Sequence, residues 1–184
     1  MTNETVIFLV IAVVAIAAAA WMFLMLSRTR RLRSRFGPEY DRTVEREHGR
    51  VRRAETLLEN REKRVSKLNI RPLTTDERER FTSEWRRVQE RFVDDPRAAV
   101  SDADTVVSDT MQARNYPMSE FEQRIDDISV EYPHMVEDYR IAHRIATSDR
   151  DVTTEDLRKA MQHYRNLFEE LVQTPVTHRE EVHR

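Results

Sequence analysis

Histidine and carboxylate side chains are the groups in this sequence that could bind a metal ion. Glu45 and His48 are three residues apart, so a helix would place them on one face. Di-metal helical bundles repeat this Glu-x-x-His spacing and add carboxylates from other helices. Here Arg46 lies between the two candidates in a highly charged segment. A solvated helix face therefore explains the pair better than a metal site.

Further candidates lie in the second half of the chain. His134 stands near Glu137 and Asp138, and His143 and His163 fall on later predicted helices. Paired acidic residues could in principle provide an acid and a base; they are Asp94 and Asp95, Asp126 and Asp127, and Glu169 and Glu170. Caps or hydrogen bonds at helix surfaces explain the histidines better than a metal site does, and helix caps or solvated helix faces explain the acidic pairs better than catalysis does. The sequence has no nucleophile-elbow, dinucleotide or phosphate-loop motif, and the absence of cysteine excludes thiol chemistry. We predict no enzyme and no catalytic, cofactor-binding or metal-ligating residue.

An apolar run near the start is the most informative segment for location. Val6 to Leu26 are 21 consecutive apolar residues, enough for one helix to cross a hydrocarbon core of ~30 Å. A basic collar follows, consisting of Arg28, Arg30, Arg31, Arg33 and Arg35. A cleaved signal peptide has its positive charge before a shorter apolar stretch. We therefore predict a permanent transmembrane helix with the N-terminus outside and the body in the cytoplasm.

The expected partners follow from this location. The bilayer is the first, and the five collar arginines are candidates for binding anionic lipid headgroups, although a topology signal alone would also explain them. An unidentified protein, or a second copy of the chain, is the other expected partner. Basic residues between Arg50 and Lys67 alternate with acidic ones and lack interleaved aromatic residues, so we predict no nucleic acid.

Charge divides the remainder into two parts. Residues 27–67 carry a net charge of +7 and residues 68–184 a net charge of −8. We predict an N-terminal head and transmembrane helix over 1–26, a basic stalk helix over 27–69, an acidic helical bundle over 70–174 and a frayed polar tail over 175–184. Val44, Val51, Leu58 and Val65 keep a seven-residue step, which indicates either a coiled-coil seam or a stripe packed within the chain.

Five amphipathic helices are predicted in the bundle, giving an all-α fold. Two helix starts have capping-box spacing, Thr74 with Glu77 and Ser119 with Glu122. Three further starts are predicted at Asp95 with Pro96, at Pro133, and at Thr153 or Thr154, which would cap the last helix. Asn115 suits the left-handed conformation that ends a helix. The predicted core residues are Phe81, Trp85, Phe92, Tyr139, Tyr164 and Phe168.

Several short segments resemble one protein family. They are residues 35–42 (RFGPEYDR), 70–73 (IRPL), 92–96 (FVDDP), 116–117 (YP), 121–124 (FEQR), 130–143 (VEYPHMVEDYRIAH) and 164–171 (YRNLFEEL). Together they are similar to a family of bacterial single-pass, membrane-anchored helical proteins of uncharacterised activity. The resemblance implies a bacterial source and a shared fold, but no functional residue. Asn115 stands where the family pattern has glycine before Tyr-Pro.

These observations favour a membrane-anchored cytoplasmic interaction or scaffold protein. One alternative is a membrane-tethered oligomer assembled through the stalk helix. A metal-binding or enzymatic bundle is the less favoured alternative.

Overall fold

The computed structural model describes residues 3–148 and 151–173. Over those ranges the chain forms eight α-helices and no β-strand, which confirms the predicted all-α class. The chain divides into two compact units, Met1–Glu59 (unit 1) and Asn60–Arg184 (unit 2). The predicted tail over 175–184 lies outside the described residues.

Unit 1 begins with a long apolar helix. Helix α1 (Asn3–Phe36) continues through the whole basic collar. Its segment Ile11–Phe36 is long and apolar enough to cross a membrane, and 0% of its most apolar window is buried. The exposed large side chains include Ile16 and Phe23, each 69% exposed. This exposure differs from that of a helix in a water-soluble domain, which normally turns its apolar side chains towards a core.

Residues 27–69, the range of the predicted stalk helix, contain parts of three helices rather than one helix. After α1 the chain forms α2 (Pro38–Arg46) and α3 (Val51–Val65). Gly37, His48 and Gly49 have φ angles of 49°, 55° and 78°, and this left-handed backbone interrupts helices. The seven-residue apolar step therefore does not run along a continuous helix, because Val44 lies on α2 and the other three residues lie on α3.

Unit 2 contains the end of α3 and the five predicted bundle helices. They are α4 (Thr75–Asp94), α5 (Pro96–Ala113), α6 (Phe121–Ile128), α7 (Val136–Ala146) and α8 (Thr154–Gln173). Helix α5 contacts α4, α7 and α8, and α7 also contacts α8. The core therefore lies around α5 and α8.

Local capping signals set several of these boundaries. Thr74 accepts a hydrogen bond from the Glu77 backbone N–H, and the Glu77 carboxylate accepts one from the Thr74 N–H, so the predicted capping box is present. Asp95 accepts from the Ala98 N–H at 3.1 Å. Thr153 caps α8 by accepting from the Asp156 N–H at 3.1 Å. Asn115 has the expected positive φ of 68°.

Two predicted helix starts are wrong. Helix α6 begins at Phe121 with Glu120 at the N-cap and no side-chain cap bond, so the Ser119 hydroxyl is one residue too early to reach the third helical N–H. Pro133 lies in a turn before α7, in which the Met135 N–H donates to the Tyr132 carbonyl at 3.0 Å. The helix therefore starts only at Val136.

Aromatic residues form much of the bundle core. The predicted residues Phe81, Trp85, Tyr139, Tyr164 and Phe168 are all buried. The sixth, Phe92, is only partly buried, at the edge of a groove. The rings of Trp85 and Phe168 stack with centroids 4.7 Å apart and planes inclined by 13°. This pair joins α4 to α8.

Ion pairs attach the end of α3 to α6 within unit 2. Arg61 is 2.6 Å from Asp126, and Arg64 is 2.7 Å from Asp127, whose side chain is 1% exposed. Since a buried carboxylate without a partner is costly, these arginines stabilise the short helix α6. Asp126 and Asp127, for which the sequence favoured a cap or a solvated helix face, thus form structural ion pairs.

Candidate functional site

The end of α1 and the start of α2 form a tight hairpin in unit 1. Gly37 has the positive φ that reverses the chain, and Pro38 occupies the first turn of α2. Across the hairpin Arg33 is 2.8 Å from Asp41. The guanidinium carbon of Arg33 also lies 5.2 Å from the ring centroid of Tyr40. Helix α2 therefore returns antiparallel along the collar end of α1.

A buried carboxylate then fixes α3 beside the same part of α1. Glu55 is 3% exposed and accepts hydrogen bonds from the Thr29 hydroxyl at 2.6 Å and the Tyr40 hydroxyl at 3.1 Å. Burial and the Glu55 carboxylate raise the pKa of Tyr40. Arg28 donates to Glu59 one turn further along α3, at 2.8 Å. Charged and polar pairs thus hold three helices of unit 1 around the collar.

The turn between α2 and α3, residues 47–50, lies next to the apolar part of α1. The guanidinium carbon of Arg52 is 5.7 Å from the ring centroid of Trp21, a residue inside the apolar run. Arg53 is neutralised by Glu47 at 2.7 Å. Within the described residues the side chains of Arg46 and Arg50 have no hydrogen-bond, ion-pair or ring partner, and both are exposed. We call Arg46, Arg50 and Arg52 the basic turn surface.

The arginines of the predicted collar differ in their ion-pair partners and in their exposure. Arg28 and Arg33 form the short ion pairs described above, and Arg31 lies 3.8 Å from Glu59. Arg30 and Arg35 are exposed. Part of the collar therefore stabilises the fold of unit 1. The basic turn surface was missed by sequence reasoning, which assigned its residues to the exposed face of one long stalk.

In unit 2 two of the three histidine candidates form separate contacts with aspartate side chains. His163 is 3.2 Å from Asp138, on α8 and α7. His143 is 3.3 Å from Asp104, which joins α7 to α5. His134 is exposed and joins neither pair. In the part of the chain that the structure describes, no three metal-ligating side chains converge, so the suggested cluster around His134 does not assemble there.

Asp104 is the centre of a partly buried polar cluster. It accepts a hydrogen bond from Tyr164 at 2.8 Å and lies beside His143, whose ring stacks on Phe121 with centroids 3.7 Å apart. Burial raises the pKa of Asp104, but the hydrogen bonds from His143 and Tyr164 outweigh it, so the pKa is lowered. Burial and the Asp104 carboxylate raise the pKa of Tyr164. The polar groups face one another between helices, so the cluster joins α5 to α7 and α8.

Arg114 is a charged residue whose side chain is fully buried in the bundle. It is 0% exposed and donates to the Tyr132 hydroxyl at 2.6 Å and to the Leu171 carbonyl at 2.8 Å. A cation near the last carbonyls of α8 offsets the negative end of that helix. Arg114 therefore closes the bundle at the end of α5.

A shallow groove of about 190 Å³ lies between α4 and α8. Its lining combines apolar, amide and basic side chains, namely Trp85, Gln89, Phe92, Arg158, Met161, Gln162 and Arg165. Arg158 and Arg165 are paired with Glu155 and Glu169 on α8. The groove thus has an apolar floor with neutralised charges at its edge.

Comparisons with known proteins give no match to a family model, a curated protein or a solved structure. The resemblance to a bacterial membrane-anchored family therefore stays a prediction.

Proposed function

We propose that this protein is a single-pass membrane protein that places a helical bundle in the cytoplasm. The observation that carries the proposal is the exposed apolar surface of α1. Its segment Ile11–Phe36 has the length and composition expected of a membrane span, and 0% of its most apolar window is buried. Only a lipid environment covers such a surface completely in a monomer.

The orientation is inferred from charge. The collar arginines follow the apolar run directly, and no Lys or Arg precedes it. The positive-inside rule therefore puts the N-terminus outside and everything after the collar in the cytoplasm. Trp21 and Phe23 lie near the collar end, where aromatic side chains suit the membrane interface.

We further propose that unit 2 is an interaction or scaffold module. Its buried polar groups connect helices rather than line a cavity, and its largest aromatic side chains form the core. The alternative of assembly through a stalk seam gains no support from the structure of unit 1 and α3. Leu58 is 0% and Val65 5% exposed in a single chain, so these seam residues have little surface to offer a second copy.

Membrane extraction and reporter fusions test the anchor and its orientation. The full chain should stay with membranes in alkaline carbonate, and a fluorescent reporter fused after Arg184 should be active in the cytoplasm. Replacing Val13 and Ile16 by Arg should release the chain, because each central charge costs about 2.5–3.5 kcal/mol of insertion free energy. Release of the unmodified chain by carbonate would contradict the anchor, and a reporter active only outside would contradict the orientation.

The module is tested by cross-linking in native membranes. A partner of unit 2 should be recovered with the full chain and lost from a chain that ends at Glu59. Equal recovery with both chains would assign the partner to unit 1 instead.

A further inference from the structure

The fold of unit 1 returns part of the chain to the end of the apolar run. Helix α2 has nine residues and so descends about 13 Å antiparallel to the end of α1. This length equals about nine residues of α1, which brings the α2–α3 turn to the level of Arg28, where the apolar run has just ended. The contact of Arg52 with Trp21 independently places the start of α3 beside the apolar run.

Charge around this turn is strongly positive. Residues 42–53 contain five arginines and two glutamates, and one of those glutamates, Glu47, is paired with Arg53. The first turn of α3 has no acidic residue. The three side chains of the basic turn surface are exposed and have no carboxylate partner in the described residues. An excess of uncompensated guanidinium groups therefore faces the environment at this level.

We propose that the basic turn surface, Arg46, Arg50 and Arg52, binds the headgroups of anionic phospholipids. This inference rests on the proposed membrane anchor, since α1 sets the depth of the turn. Guanidinium groups bind phosphate oxygens through paired N–H donors. Exposed Val51, at 42%, adds a small apolar side chain at the same level. The basic turn surface would thus contact lipid headgroups in addition to the collar arginines that directly follow the span.

Arg52 has a particular position in this surface. Its guanidinium group lies near the Trp21 ring, and an arginine over an aromatic face keeps its outer N–H groups available while its stem covers apolar surface. Trp21 is 54% exposed, so its other face remains for lipid. The pair would therefore hold the start of α3 at the boundary between acyl chains and headgroups.

Hydrogen–deuterium exchange of the full chain in lipid nanodiscs tests the inference. Exchange of the backbone amides over residues 46–54 is compared between discs of phosphatidylcholine alone and discs that also contain phosphatidylglycerol. Each basic residue near an anionic leaflet strengthens binding by roughly fivefold. We expect the anionic lipid to slow exchange in this segment by at least about fivefold, because bound headgroups suppress opening of the turn.

Charge variants identify the responsible residues. The triple variant R46Q/R50Q/R52Q should lose the effect of phosphatidylglycerol, whereas R46K/R50K/R52K should keep most of it. The matched control R78Q/R86Q/R87Q removes the same charge from exposed positions on α4 and should behave like the unmodified chain. Equal exchange in the phosphatidylcholine discs verifies that the variants fold alike.

Two results would overturn the inference and can be told apart from failure of the anchor. A chain that stays in the discs but shows no slowing by phosphatidylglycerol would contradict the headgroup site alone. The same slowing in R46Q/R50Q/R52Q as in the unmodified chain would assign the lipid effect to other residues. A chain that elutes apart from the discs would contradict the membrane anchor and the headgroup site together.

Discussion

Replacement of Trp85 by alanine should destabilise unit 2 strongly. Trp85 is 5% exposed, and its ring stacks on Phe168. Burying ~200 Å² of apolar surface at ~25 cal/mol per Å² contributes about 5 kcal/mol as an upper limit. The neighbouring groove lets water and side chains fill part of the space that the indole leaves. We therefore expect a loss of about 3 kcal/mol, at the low end for Trp→Ala.

The assay is unfolding of the full chain in detergent micelles, followed by far-ultraviolet circular dichroism with urea and with heat. A loss of 3 kcal/mol corresponds to a fall in Tm on the order of 10 °C for a unit of this size. Val93→Ala is the control on the same helix, because Val93 is 83% exposed and should change the free energy of unfolding by less than about 0.5 kcal/mol.

A double-mutant cycle separates the stacking contribution from simple burial. Trp85→Leu, Phe168→Leu and the double variant should give a coupling free energy of about 0.5–1.5 kcal/mol. A coupling near zero would show that the two rings do not stack in solution. A loss below about 1 kcal/mol for Trp85→Ala would refute the assignment of Trp85 to the core.

The remaining predictions concern a cap, a titrating carboxylate and a buried cation. Thr74→Ala should cost about 1 kcal/mol of unfolding free energy because the capping box is lost, whereas Thr82→Ala, an exposed position on the same helix, should leave the urea midpoint nearly unchanged; equal effects would contradict the cap. Hydrogen bonds from Arg71 and from the backbone of Thr74 lower the pKa of Glu77 from 4.5 to about 2. Its stabilising contribution is therefore fully present above pH 4.5 and is lost as the pH falls towards 2. Glu77→Gln should remove this part of the acid sensitivity, and an unchanged pH profile of the urea midpoint would argue against the shift. Arg114→Met should lower the free energy of unfolding by about 2–3 kcal/mol because the Leu171 carbonyl loses a charged donor; an unchanged Tm would show that the hydrogen bond is not formed.

Sequence reasoning succeeds where the physical signal is local. The caps at Thr74 and Asp95 depend on groups three residues apart, so side-chain type and spacing suffice to predict them. The buried faces of α4, α5 and α8 follow the helical period, which gives the apolar side chains a common side. The all-α class follows from the same period and from the scarcity of glycine.

In unit 1, Gly37 and Pro38 are local signals for the end of α1 and the start of α2, but the second chain reversal had no comparable signal. A single glycine, Gly49, ends a segment that otherwise favours helix, and the seven-residue apolar step continues across it. The burial of Glu55 depends on Thr29 and Tyr40, whose hydroxyls approach it only after two chain reversals. A charged residue in such a polar sequence is expected to be exposed, so neither the buried carboxylate nor the basic turn surface was predictable.

In the bundle, too, contacts between residues far apart in the sequence could not be predicted from local patterns. Arg114 precedes Asn115 at the end of a helix, where a cation is ordinary. Its acceptor is the Leu171 carbonyl, 57 residues later. The pairing of His163 with Asp138 likewise depends on how α7 packs against α8. Long-range packing decides these contacts, and the local pattern carries no information about it.

The link between Arg114 and Leu171 has a consequence for biosynthesis. At a translation rate of ~5–20 residues per second, the 57 residues between them take about 3–11 s to emerge. Throughout that delay α5 lacks the helix that completes its surroundings, while α1 has already been synthesised. On the proposed topology, newly made chains would therefore be tethered in the membrane before the bundle can close. During this interval the nascent bundle should be a substrate for chaperones that recognise exposed apolar surface.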